Sequence, residues 1–170
     1  MPKPPIAIVD DEDNVIGAEF KEVAWRDGLR HRVVRIVLED GKGNMLVQMR
    51  SKEKALFPSR WDTAAAGHVD ADDPDYDEAA RRELEEEIGL RDIPLEEIGY
   101  YKTDGTDGQW RQLKRFVKAY RATFTGMPEK FDKAEVESVR WMPITELKKM
   151  VKEHPELVSD GVEEVITRFY

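Results

Sequence analysis

The 170-residue chain contains no cysteine. That excludes disulfides, thiolate metal sites and a thiol nucleophile together. No apolar run approaches the roughly 20 residues that a membrane-spanning helix needs. The first residues, MPKPPIAIVD, lack the basic and apolar regions of a signal peptide, so a cytoplasmic location is expected. Regular βαβ alternation and a glycine-rich phosphate loop are missing too, which speaks against a doubly wound nucleotide fold. Positive charge is in deficit: 36 acidic residues face 27 basic ones, for a formal net charge of −9. A nucleic-acid polymer, which wants a clustered basic surface, is therefore not an expected partner. A small anionic substrate stays open, because a metal ion and a few local cations reverse the field within one pocket.

What is present suffices for a core. Hydrophobic residues make up 40% of the chain, with four Trp and six Phe, and no repeat or linker divides it. One domain over residues 1–170 is expected. IAIVD and NVIGAEF read as two short strands around an acidic turn. RVVRIVLED and NMLVQMR flank Gly41, Lys42 and Gly43, which makes a hairpin. WDTAAAGHV reads as a buried strand, and IGYYKT, QLKRFVKAYRATF and SVRWMP as further strands. Helices are expected in ARRELEEEI, in ITELKKMVKEH and around Val162, Val165, Ile166 and Phe169. For the first of these, Asp73 is the expected N-cap, with Pro74 opening the helix and Gly89 closing it. Ala80, Leu84 and Ile88 form its buried stripe. This order implies α+β, an α/β/α sandwich around a mixed sheet.

Five glutamates fall between Glu78 and Glu87. On a helix, Glu83 neighbours Glu86 at i+3 and Glu87 at i+4, so three carboxylates share one flank beside the apolar stripe. Such charges repel. Two readings follow: a solvated acidic face offset by Arg81 and Arg82, or a site for a hard divalent cation such as magnesium, which takes carboxylates, waters and substrate phosphates.

The frame around these glutamates decides between them. Gly67, Arg82-Glu83-Leu84, Glu86-Glu87 and Gly89-Leu90 together closely resemble the signature of the Nudix hydrolases, over Gly67 to Leu90. The resemblance implies a loop–helix–loop that holds magnesium or manganese against a diphosphate linked to another moiety. It makes Glu83, Glu86 and Glu87 metal ligands, with the carbonyl of Gly67 as a fourth, and gives Arg82 the task of orienting a glutamate. Water would attack phosphorus in line, and a carboxylate would take its proton: Glu86 or Glu87 first, Glu135 or Glu137 as the alternative. Arg50 matches a phosphate-binding arginine of several members, with Arg60 and Lys54 as further loop cations. Trp61, Tyr101 and Trp110 are candidates for stacking on a base or for the core. A homodimer is compatible with this reading. The signature departs in one place: members usually carry a glutamate eight positions before the arginine, and here that position is Pro74. Asp73 or Asp75 would stand in for it.

The stretch from His31 to Val69 also resembles the branch that includes isopentenyl diphosphate isomerase. His31 and His68 match two of its three metal histidines. The third would fall near Ala24, and Ala66 stands where that enzyme has its essential cysteine. Hydrolysis of a nucleoside di- or triphosphate or a related diphosphate compound is the leading expectation. An isomerase-like enzyme and a non-catalytic diphosphate-binding module are the alternatives.

Overall fold

A computed structural model describes residues 2–170. Its sheet is organised by the way one hairpin opens. Strands β1 (Ile6–Val9) and β2 (Val15–Glu19) come first, then a short helix, α1 (Lys21–Asp27). The hairpin follows, with β3 (His31–Glu39) and β4 (Asn44–Arg50) joined where expected. The two strands pair only next to the turn, at Leu38 with Leu46 and Glu39 with Met45, and then diverge. The chain fills the gap between them. β5 (Trp61–Asp62) pairs with β4, and β6 (Ala65–His68) pairs with β3. The single strand expected over WDTAAAGHV is therefore two, because the segment leaves one arm of the hairpin and joins the other.

Beyond helix α2 (Tyr76–Ile88), strands β7 (Glu96–Thr106), β8 (Gln112–Thr123) and β9 (Val136–Pro143) complete the sheet, followed by α3 (Ile144–Glu153) and α4 (Asp160–Phe169). β8 runs parallel to β3 from His31–Arg115 to Glu39–Thr123. β9 lies antiparallel along β4. Parallel and antiparallel pairs in one sheet make it mixed, as expected.

Strand periodicity divides the core into two layers. Val34, Ile36 and Leu38 of β3 face α2, joining Ala79, Ala80, Leu84 and Ile88. Val37 of β3, with Met45 and Val47 of β4, meets Leu147 of α3 and Val162 and Val165 of α4. Burying Leu84 and Ile88 contributes about 1.5–3 kcal/mol each, and that fixes which flank of α2 its glutamates present. Helices on both faces give the α/β/α sandwich.

Two expectations about helices need correction. Helix α1 was not expected: it has seven residues, no side-chain cap and only Ala24 and Trp25 buried, so its pattern is too short to read. Helix α2 does end at Gly89, whose φ of 70° suits glycine and whose N–H donates to the Glu85 carbonyl. Its N-cap, however, is Asp75, which accepts from the Glu78 N–H at 2.8 Å. Asp73 is drawn away to Arg82, and Pro74 precedes the helix. Asp75→Ala is expected to cost about 1 kcal/mol. An unchanged denaturation midpoint would remove the cap from this account.

Candidate active site

Where β3 and β4 separate, a cavity of about 340 Å³ opens between β6, α2 and the Ser51–Arg60 loop. Gly67, Arg82, Glu83, Glu86 and Glu87 line one side of it. These residues, grouped in the sequence reading, share the lining of one cavity.

Arg82 ties them to the loop. It takes both oxygens of Asp73, at 3.1 and 2.8 Å, and the His68 carbonyl at 3.0 Å. Its remaining nitrogen reaches Glu83 at 2.9 Å and Glu86 at 3.2 Å. Asp73 is thus committed to Arg82, and the cap falls to Asp75. Glu87 is buried and accepts from the Ala66 N–H at 2.8 Å and the Gln48 amide at 3.2 Å. Burial pushes the carboxyls of Glu83 and Glu87 above the ordinary range, and for Glu83 the neighbouring Glu87 adds to it. Glu86 is half exposed, at 47% of its side chain. Among the described residues no three acid or histidine side chains already form a set that could hold a metal ion; Arg82 bridges Glu83 and Glu86. Gly67 packs directly on this group: a Cβ there would lie 2.2 Å from the Glu83 carboxyl carbon.

The other sides of the cavity carry cations. Arg50 donates to Asp62 at 2.8 Å and to the Leu56 carbonyl at 2.9 Å. Lys54 pairs with Glu135, which Lys3 also approaches at 3.4 Å. Burial opposes the charged form of Glu135, but the two lysines prevail and hold its carboxyl below the ordinary value.

Several expected residues lie elsewhere. Arg60 does not line the cavity; it turns to the Val158 carbonyl at 3.4 Å. Glu137 is exposed and outside it. Trp61 packs against the α3–α4 layer, the Tyr101 hydroxyl donates to Glu164, and Trp110 is 52% exposed under Arg111. None of the three aromatics lines the cavity, so none is placed to stack on a base there. Trp25 lines it instead, 5.9 Å from the His68 ring. Trp25 thus occupies the neighbourhood where a third histidine would be wanted. His31 and His68 do meet, with ring centres 5.4 Å apart. Burial pushes His31 down to about 4 and His68 well below its ordinary value, so both are neutral at pH 7.

Sequence reasoning missed Arg35, Arg115 and Asp160, which also line the cavity. Arg35 left a signal, as a charge inside the apolar run VVRIVL.

Comparison with known proteins agrees with this geometry. The family model described as NUDIX domain matches residues 29–161. An uncharacterised Nudix hydrolase of Yersinia pestis is 36% identical over 138 residues, covering 81% of this chain and 71% of that one. Further curated relatives match over about 60% of their own length. Among solved structures, the crystal structure of DR0079 from Deinococcus radiodurans shares the fold, with a TM-score of 0.81 over 98% of this chain and 99% of that one, at 23% identity. The NUDIX domain of Shewanella oneidensis NrtR, solved with ADP ribose, has a TM-score of 0.62 at 19% identity, over 82% and 86%. With the matched family covering most of the sequence and its signature glutamates gathered on one cavity, this chain belongs to the NUDIX domain family and is a Nudix hydrolase acting on pyrophosphate bonds.

Proposed function

We propose that the chain hydrolyses the diphosphate linkage of a nucleoside di- or triphosphate, or a related nucleoside diphosphate compound, with magnesium or manganese held by Glu83, Glu86, Glu87 and the Gly67 carbonyl. The observation that carries this reading is the meeting of those three glutamates with Arg50 and Lys54 on one cavity. The donor set fits a hard divalent ion: only oxygens, Glu87 buried and Glu83 mostly so, and like charges in need of a counterion. When bound, the ion would neutralise phosphate oxygens and acidify a water. Arg50 and Lys54 would orient the diphosphate from the facing side. Arg82 holds Glu83 and Glu86 in place and does not touch substrate. Glu86 or Glu87 would accept the water's proton. Glu135 is less suited to that task, since its pairing with two lysines makes it a poorer base; its part would be to position Lys54. The ADP ribose in the Shewanella structure supports a nucleotide-linked diphosphate as the substrate class.

The reading is tested by assaying nucleoside diphosphate compounds with and without magnesium. Release of phosphate or a nucleoside monophosphate that stops on chelation is the expected result. Metal-independent release would overturn it. Gly67→Ala probes the same geometry. Its methyl would overlap the Glu83 carboxylate, so activity should fall by about 100-fold, while the cavity's far side keeps its structure. An alanine variant with near-normal turnover would mean that Glu83 is free to move without cost.

A further inference from the structure

An arginine that orients a diphosphate has to be held still, because ordering a loose side chain subtracts from every contact it makes. Arg50 ends β4, and Asp62 of β5 lies opposite Gln48, which makes Arg50 and Asp62 diagonal neighbours across the strand pair. The Arg50 Nε donates to the Leu56 carbonyl at 2.9 Å, and one terminal nitrogen donates to an Asp62 oxygen at 2.8 Å. A guanidinium is planar, so two anchored corners fix the direction of the third. That third corner, the other terminal nitrogen, has no hydrogen bond among the described residues and is not enclosed. Arg50 lines the cavity and keeps 11% of its side chain exposed.

Asp62 is itself held. Its second oxygen accepts from the Ser159 hydroxyl at 2.7 Å and from the Thr63 N–H at 2.8 Å. Ser159 in turn caps α4, accepting from the Val162 N–H at 3.2 Å, and its own N–H donates to the Trp61 carbonyl at 2.8 Å. A glycine near the start of α4 allows this close approach: a Cβ on Gly161 would lie 3.0 Å from that second Asp62 oxygen. Asp62 and Ser159 are both buried, so solvent does not compete for these bonds. Stability is a poor reason for the arrangement, since a buried ion pair adds little over well-packed apolar groups. The charge of Asp62 on its own also opposes an anion in the cavity. What the contacts supply is direction.

We propose that Asp62 is a positioning residue for the reaction. Seated on the Ser159 cap of α4, it holds Arg50 with one corner free for a phosphate oxygen of the substrate, and it does not touch the substrate itself. The inference rests on the reading of Arg50 as a diphosphate-binding residue and adds the two residues that aim it.

The test uses the intact chain and inorganic pyrophosphate, whose Kd in magnesium is measured by calorimetry whatever compound the enzyme hydrolyses. Asp62→Glu keeps the charge and displaces the guanidinium by about one methylene, a misplacement that should raise Kd by about 10-fold. Arg50→Gln should also raise it, and Asp62→Glu added to Arg50→Gln should change Kd by less than about 2-fold, since Asp62 acts only through Arg50. A longer side chain in a buried place also risks unfolding. Ser159→Ala leaves every charge in place and loosens Asp62, so it carries the test if the glutamate variant does not fold, with a rise of about 3-fold that vanishes in the Arg50→Gln background. Losses that add in the double variant would mark Asp62 as merely structural and overturn the proposal. An unchanged Kd in both Asp62→Glu and Ser159→Ala would overturn it too, while leaving Arg50 its role. An Arg50→Gln variant that binds pyrophosphate as tightly as the unaltered protein would remove Arg50 from the diphosphate site and sink both readings.

Discussion

Glu86→Gln is expected to lower hydrolysis by about 100-fold or more with no loss of folding. Among the three glutamates this one gives the cleanest result. Its side chain is 47% exposed, and its protein partner is Arg82 at 3.2 Å. Glutamine keeps the volume and removes the charge that a divalent ion requires. Relief of repulsion along Glu83, Glu86 and Glu87 offsets the lost pairing with Arg82, so the melting temperature without metal should stay close to the original. Glu87→Gln should damage activity as severely, but it also disturbs structure. Glu87 is buried and accepts from both Ala66 and Gln48, and an amide there would point a donor at one of those donors. That variant should lose stability as well. Turnover and thermal melts on both variants, over a magnesium titration, separate the two effects. Near-normal turnover of Glu86→Gln at saturating magnesium would sink the metal assignment.

The sequence disclosed those parts of the molecule that local rules decide. Gly89, the Ala80–Leu84–Ile88 stripe and the hairpin turn depend on neighbours a few residues away, and all are found where the pattern places them. The cap of α2 is different. Asp73 and Asp75 are equivalent by propensity, and the choice falls to Arg82, which folds back on the loop and claims Asp73. The break between β5 and β6 was hidden for a similar reason. It follows from the splaying of β3 and β4, which depends on β8 and β9 pairing along their outer edges. The aromatics could not be sorted at all from sequence, since Trp25 and Trp61 differ only in what packs around them. Arg115 reaches the cavity because β8 lies parallel to β3, pairing Arg115 with the sequence-distant His31. Only Glu83, Glu86, Glu87 and Arg82 sit on one helix, and only they were legible as a group.

The lining of the cavity bears on isomerisation, the alternative that His31 and His68 raise. Isopentenyl diphosphate should show no conversion to dimethylallyl diphosphate, under conditions where magnesium-dependent cleavage of a nucleotide diphosphate is measurable. Allylic isomerisation delivers a proton to one carbon and removes one from another, so it needs paired acid and base groups around a dry hydrocarbon pocket. The isomerase reading of the sequence wants a cysteine at the position where Ala66 lines the cavity. An alanine methyl exchanges no proton, and the Ala66 N–H is committed to Glu87. Trp25 occupies the neighbourhood of the missing third histidine, and indole is no metal ligand. The surroundings are also poorly suited to a hydrocarbon: Arg35, Arg115 and Asp160 line the same cavity, and burying an alkene beside charged groups is unfavourable. Hydrolysis needs neither the cysteine nor the histidine, only the ion, a water and a carboxylate. Both substrates are incubated in deuterated water and followed by NMR. Deuterium entering carbon positions of the isoprenoid at a catalytic rate would show that the cavity supplies an acid–base pair that Glu83, Glu86, Glu87 and Ala66 do not provide, and the hydrolase reading would then fail.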